Sequence, residues 1–581
     1  MTVPPPVSHQ QTKRNRSIGL GCGVVLAIVQ LGILWGTSIP LGIPDEWTWT
    51  RYPFTILDVP GLWPSVLAGL GLCAVVGWGA SRIDLLTKHQ RVTLLLLLWG
   101  MGTLWTLSLV DSVPGISGLS RVPFVLHYER SSGYFTQART DARNLEHFLA
   151  TYRERIQDST LSENYLHLGT HPPGLTTACV MLMRLCESSP ALRNLVLATR
   201  PGSVRDSFEV VTSLASTDVR PLTEADVAAI WLAALLVAAL AAGTCVPLYL
   251  LACRHVSRES AWWGAGFWLL VPAVAVFFPK SDVLFPCLAM WIQWLWLEGV
   301  DRRSLGFGAA AGTVIFLALC LTLAFAPLGL ILLLQGGFVT PTPDPLQPEK
   351  SSRWHLPVRL RVYVGSGLMF GLWLLLAWWL GHLNLIEIWI QNLRNHAAFY
   401  DHATRSYLPW LLETPVELGF SLGLPLALCA IGGLCRSGSR TARDEGPSGS
   451  VPLETKRKIR KKGTEERGTH QKTSFPLSRS SLSLTSLWTR FSKLEALDVL
   501  IATSVWGLLW ISGKNMGEAA RLWVFLMPYA LWLATFQIQE FRKSRPASTL
   551  GLFFVLQMVI CLGTVLRIDG FHFLELMPER P

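Results

Sequence analysis

The chain is short of charge. Only 15% of its 581 residues are Asp, Glu, Lys or Arg, while half are hydrophobic and the mean hydropathy is +0.37. That shortage excludes an ordinary soluble multidomain enzyme. The 11 Cys include no CxxC pair and fall mostly inside apolar runs, which excludes a zinc ribbon and a disulfide framework. No basic, aromatic-interleaved soluble domain is present to carry the net charge of +11 onto a nucleic acid, so nucleic acid is not an expected partner. No small-residue cleavage site follows the basic "KRNR" at 13–16, so the first apolar stretch reads as a retained span. No soluble loop carries a DxD motif, and no globular domain is available to bind a nucleotide sugar.

What the chain does have is apolar runs. A crossing helix needs about 20 mainly apolar residues. Spans are expected near 18–38, 61–80, 92–111, 226–251, 261–278, 283–299, 306–322, 325–338, 362–382, 416–435, 495–512, 522–538 and 548–567. The expected fold class is therefore all-α, a polytopic bundle of about thirteen transmembrane helices. Within 306–338, Pro327 and the Gly336-Gly337 pair are expected to set the breaks. Three regions result: a membrane bundle over 1–435 with a large loop at 112–225, a basic, disordered insertion at 436–492, and C-terminal transmembrane helices over 493–581.

Basic clusters thread through these spans with one polarity. Starting with Lys13, Arg14 and Arg16 inside, the clusters at Arg82 to Arg91, Arg254 and Arg258, Arg302 and Arg303, Lys350 to Arg361, "KRKIRKK" at 456–462 and "FRKSR" at 541–545 all fall on the cytoplasmic side. This makes the chain an integral protein of the cell membrane, with a cytoplasmic N-terminus and an extracytoplasmic C-terminus. The remaining polar segments then face outward: "GIPDEWTWTRYP" at 42–53, the loop 112–225, "FPKSD" at 278–282, the loop 383–415 and "SGKNMGEAAR" at 512–521.

In the large loop, Leu145, Phe148, Leu149 and Tyr152 recur at helical spacing, which predicts a surface helix within 127–156. The run Leu175 to Leu185 is too short to cross and is expected to return as a second surface helix. Between the two stands "THPPG" at 170–174, where Pro172 and Pro173 force a turn and Gly174 frees the chain to enter the next helix. His171 either shapes this turn or lines a cavity beneath it.

"THPPGLTTACVMLMRL" is similar to the "HPP" turn and following helix of the integral-membrane glycosyltransferases of the GT-C fold, and "FPKSDVLFPCLAMWIQWL" to their outward acidic residue at the mouth of a span. Over about 130–340 the chain resembles the protein O-mannosyltransferase (family 39) and lipid A aminoarabinose transferase-like group of that fold. The resemblance implies a GT-C-like bundle that moves a hexose or pentose, with inversion, from a polyprenyl-phosphate donor to a lipid, glycan or protein acceptor at the outer face, among membrane lipids. Such transfer needs a carboxylate to take the acceptor's proton and cations around the departing phosphate. Two further spans separate "PDEW" from "THPPG", so carry-over leaves the base open among Asp45, Glu46, Glu129, Asp141 and Asp282, with Glu46 and Asp141 favoured. Lys280, Arg405, Lys514 and Arg521 are candidate phosphate clamps, and outward arginines run against the positive-inside bias. Tyr134, His171 and Asn392 join Asp45 and Asp282 as candidate substrate-binding residues. His396, Asp401 and His402 are compatible with a divalent metal, although no metal is predicted. A multi-pass transporter or lipid flippase is the alternative, but no internal repeat is visible. A purely structural scaffold leaves the outward polar clusters without a purpose.

Overall fold

The computed structural model describes residues 9–115, 118–127, 131–158, 166–214, 220–339, 355–402, 405–437, 496–544 and 547–571. Regular structure among them is helical apart from two antiparallel ribbons, Gly42–Ile43 with Trp47–Thr48 and Thr50–Arg51 with Ile568–Asp569. Glu129 and nearly all of the 436–492 insertion lie outside the described residues, as do the side chains of Asp401 and His402.

Six helices among the described residues are long and apolar enough to cross a membrane: Ile56–Arg82, Lys88–Asp111, Glu224–Ala252, Ser281–Arg302, Leu360–Gly381 and Ala547–Val565. A bent pair, Tyr407–Leu422 with Leu424–Ser437, makes up to seven, and Gly21–Gly36, Leu305–Leu321, Leu323–Phe338 and Leu497–Ile511 are shorter apolar helices. The difference from the expected thirteen comes from these shorter helices and from breaks that hydropathy does not register. The stretch 261–278 forms two helices, Arg258–Trp268 and Pro272–Val276, because Pro272 has no amide with which to continue the ladder. Within 306–338 the break falls at Thr322, not at Pro327: Thr322 is extended and its hydroxyl accepts from the Ala324 amide at 3.2 Å. Pro327 lies in the first turn of Ala326–Phe338, where a missing amide is harmless. Gly336 breaks nothing; a Cβ there would lie 2.6 Å from Cζ of the Tyr363 ring.

The stretch 416–435 spans a 109° bend at Gly423, whose φ of 91° suits glycine. Two buried glutamines take up the freed backbone groups. Gln557 donates to Leu422 O at 2.9 Å and Leu270 O at 3.1 Å. Gln30 donates to Phe420 O at 3.1 Å and accepts from the Leu424 amide at 2.8 Å. Elsewhere small residues let helices touch through their backbones. A Cβ on Gly308 would lie 2.6 Å from Val362 O, so Leu305–Leu321 packs directly on His355–Gly381. The core between helices is aromatic, with Trp262, Trp268, Trp532 and Phe267 fully buried.

The surface segment is more broken than its periodicity suggests. In place of one helix over 127–156, the described residues form Tyr134–Arg139, a 3-10 turn at Asp141–Arg143, Leu145–Ala150 and Tyr152–Asp158. The apolar stripe survives the breaks: Phe148 and Tyr152 are buried and meet edge to face at 5.2 Å. The return helix is Gly174–Ser188. Two further helices, Pro190–Ala198 and Gly202–Leu214, follow it.

Candidate functional site

The surface helices sit on the end of the bundle where "FPKSD" and "SGKNMGEAAR" also emerge, and together they enclose a cavity of about 510 Å³. Tyr134 enters it from Tyr134–Arg139, a helix pinned by its other residues. Arg139 forms a buried ion pair with Asp226 at 3.2 Å and donates to Arg220 O and Pro221 O at 2.7 and 2.9 Å. Gln137 accepts from Thr176 at 2.7 Å, which ties this helix to Gly174–Ser188. Asp226 is fixed in turn by a capping box with Thr223 at the start of Glu224–Gly243.

His171 enters from the "THPPG" turn, which is held from two sides. Its carbonyl accepts from the Tyr152 hydroxyl at 2.9 Å and from Asn392 at 3.1 Å. Asn392 and Asn395 also donate to Gly169 O at 2.7 and 2.9 Å. The imidazole Nδ1 lies 3.0 Å from the Thr170 hydroxyl, and the ring meets that of Tyr134 edge to face at 6.1 Å. Pro173 is the N-cap residue of the next helix. Gly174 is required for close approach and not for freedom of φ: a Cβ there would overlap the carbonyl of Cys320.

Lys280 and Asp282 come from the segment leading into Phe285–Arg302, and Arg521 from the short helix Ala519–Leu522. Arg521 pairs with Glu518 at 2.7 Å, while its buried Nε stands 4.0 Å from Asp282, too far for a hydrogen bond. Burial works against the Arg521 charge, but Glu518 and Asp282 outweigh it and hold its pKa above the usual value. Burial, reinforced by Arg521, pushes Lys280 down to about 7. Burial and then Asp282 raise Tyr134, which stays protonated. Neither the Lys280 ammonium nor the Tyr134 hydroxyl has a hydrogen-bond partner among the described residues, though both line the cavity.

The rest of the lining is apolar. Leu175, Met181, Leu185, Leu236, Leu240 and Leu288 form a trough below the polar groups. Met181, Leu185 and Leu236 are 52%, 45% and 42% exposed, so the trough opens sideways onto the outer surface of the helices. The shape suits an amphiphile with an anionic head and an apolar tail.

Five of the residues named from sequence thus meet in one cavity: Tyr134, His171, Lys280, Asp282 and Arg521. Asp45, Glu46, Asp141, Asn392, Arg405 and Lys514 are not among its lining. Glu46 sits at the start of Tyr407–Leu422, accepting from the Ser406 amide and from Trp410 Nε1 at 2.6 Å. Asp45 is exposed in the adjoining hairpin turn with a φ of 65°. Arg405 donates to the Glu46 carbonyl. Asp141 pairs with Arg155 at 3.2 Å. Asn392 braces the turn, although its Oδ1 is buried without a partner among the described residues. Among the described residues no group of three His, Cys, Asp or Glu is arranged to hold a metal ion. Sequence reading missed the braces Tyr152, Asn395 and Glu518. Each is an ordinary residue in a loop or surface helix, and only its contact with a distant segment marks it out.

Neither a family model nor a curated protein matches this chain. Among the described residues, fold and cavity define a helical protein with six or seven helices long and apolar enough to cross a membrane and a cavity at one end of the bundle that joins cationic groups to an apolar lining.

Proposed function

We propose that the protein is a GT-C-like membrane glycosyltransferase that takes a sugar from a polyprenyl-phosphate donor and passes it, with inversion, to an acceptor at the extracytoplasmic face. The observation that carries this reading is the cavity, where an unpaired ammonium and a partly paired guanidinium stand over a leucine-lined trough that opens sideways. Lys280 and Arg521 hold the phosphate, His171 and Tyr134 bind the head, and the prenyl chain leaves through the trough into the bilayer. The acceptor hydroxyl attacks the anomeric carbon and gives its proton to a carboxylate. The bond from that carbon to the phosphate oxygen breaks, and its electron pair leaves with the phosphate, stabilised by the two cations. Asp282 is the carboxylate that lines the cavity, which moves the assignment of the base to it from Glu46 and Asp141. The N-terminus and the 436–492 insertion are cytoplasmic, and the shorter apolar helices, together with the broken stretch Arg258–Trp268 and Pro272–Val276 and with Met527–Ser544, complete a bundle of about thirteen crossings.

A second reading, a lipid flippase, draws on the 109° break at Gly423, since broken helices are common in transporters. Membranes containing the protein, incubated with radiolabelled polyprenyl-phosphate sugars, separate the two. Loss of label from the lipid into an acceptor, abolished by Arg521→Ala, is expected. Movement of the intact lipid across proteoliposomes with no loss of label would establish the flippase instead.

A further inference from the structure

We infer that Glu46 is a positioning residue, which acts through Arg405 and Trp410 on the loop that carries Arg521 and does not itself touch the ligand. This rests on reading Arg521 as a phosphate-holding group. The Glu46 carboxylate accepts twice from the Ser406 amide, at 3.2 and 3.0 Å, and once from the Trp410 indole at 2.6 Å. Its own carbonyl accepts from Arg405. It therefore seats the hairpin on the first turn of Tyr407–Leu422, where unpaired amides and the helix dipole favour an anion. The neighbouring Ser406 side chain, then the hydrogen bonds from the Ser406 amide and the Trp410 indole, outweigh burial and hold Glu46 below the usual carboxylate range. A carboxylate so stabilised is a poor proton acceptor.

The two groups that Glu46 holds are the ones against which the next loop folds. A Cβ at Gly517 would stand 3.2 and 3.3 Å from the Trp410 ring and 3.4 Å from Arg405 Nε, so the loop backbone lies directly on this pair. The loop coils tightly, with Gly513, Asn515 and Gly517 at φ of 68°, 62° and 81°. Glycine takes this conformation freely at 513 and 517, and Asn515 is the one non-glycine residue of the three. Tyr407 grips one end by donating to Ile511 O at 2.6 Å, and Glu417 grips the other by accepting from the Ala520 amide at 3.1 Å. Glu518 and Arg521, paired at 2.7 Å, follow at once. Tyr407–Leu422 is thus a rail along which the loop is fixed, and Glu46 locks the top of the rail.

Two measurements on the full-length protein in detergent test this. Hydrogen exchange over 512–522 needs no ligand: Glu46→Gln, and independently Arg405→Gln, are expected to speed it about tenfold while the surface helices exchange as before. Binding of undecaprenyl phosphate is expected to weaken about tenfold in Glu46→Gln, and this loss should vanish when Arg521→Ala is already present, because the effect travels through Arg521. Unchanged exchange over 512–522 in both variants overturns the inference. So does a Glu46→Gln binding loss that persists in full beside Arg521→Ala. If the unsubstituted protein and Arg521→Ala bind the lipid alike, the phosphate reading fails, and exchange alone decides whether Glu46 is the lock.

Discussion

Two polar clusters lie inside this apolar bundle, and they differ in how fully they satisfy themselves. At the end opposite the cavity, Asp498 accepts from His255 at 2.8 Å, and Arg254 reaches Asp301 at 2.5 Å through Nη1. The buried Nε of Arg254, 3.6 Å from Asp498, has no hydrogen-bond partner among the described residues. The cluster continues inward: Gln335 donates to Asp498 O at 2.8 Å and accepts from Gln293 at 2.6 Å, and Tyr529 donates to Gln293 at 2.8 Å. His255 is stacked on Trp532. At the cavity end, Lys280 and Tyr134 reach into open space. Buried polar groups pair wherever they can, so the closed cluster is read as structure and the open one as a place kept for a ligand.

The largest expected effect tests the open cluster. Asp282→Asn should lower transfer by about two to four powers of ten, the usual cost of losing a general base, with little change in melting temperature. Steady-state rates and melting curves on the same sample measure it, and normal transfer returns the search to Glu46 and Asp141. Next comes the closed cluster. Asp498→Ala leaves His255 without its anion and Arg254 with Asp301 alone, and should cost about 1.5–3 kcal/mol of stability, read from unfolding in detergent, while the lipid still binds to whatever fraction is folded. A variant as stable as the parent would erase the contrast between the clusters.

Gly174→Ala should act on both stability and function, because the added methyl drives the "THPPG" turn off the Cys320 backbone. A loss of about 1–3 kcal/mol is expected, together with weaker lipid binding as His171 moves. His171→Ala should reduce binding with a much smaller shift in melting temperature. If the melting temperature alone fell, the histidine would be a bracket for the turn. The smallest effect concerns pH. A lysine lowered to about 7 is charged below that value, so binding of an anionic lipid should weaken severalfold as pH rises from about 6 to about 8. Lys280→Arg keeps its charge and should lose that dependence. The second ionisation of the phosphate, near about pH 6, strengthens binding in the opposite direction and is common to both proteins, so their difference isolates Lys280.

The arginines show why composition took the site only part of the way. The positive-inside bias singles out Arg405 and Arg521, in loops expected to face outward, but has no means of separating their duties. Arg521 does line the cavity. Arg405 holds a carbonyl, and Arg51 and Arg567 donate to the final carbonyls of the first helix, at Ile33 and Leu34 among others, where a cation offsets unpaired acceptors. The breaks behave similarly. Pro272 breaks a stretch that its hydropathy reads as one span, and Thr322 and Gly423 act as breaks because Ala324, Gln30 and Gln557 stand ready to take the freed groups.

Helical character and the ability to cross a membrane followed from local chemistry, because long apolar runs with few charges satisfy their backbone only as helices. The same pattern placed the polar residues at helix ends and drew attention to "THPPG", "FPKSD" and "SGKNMGEAAR". Which of those residues meet was decided by tertiary structure alone. Tyr134, His171, Lys280, Asp282 and Arg521 share a cavity because the Arg139–Asp226 pair, the Asn392 brace and the backbone contact at Gly174 fold distant segments onto one end of the bundle. Glu46 and Asp141 are carboxylic residues like Asp282, but their neighbours turn them to other partners. A carboxylate's role depends on what surrounds it, and those surroundings exist only once the chain is packed.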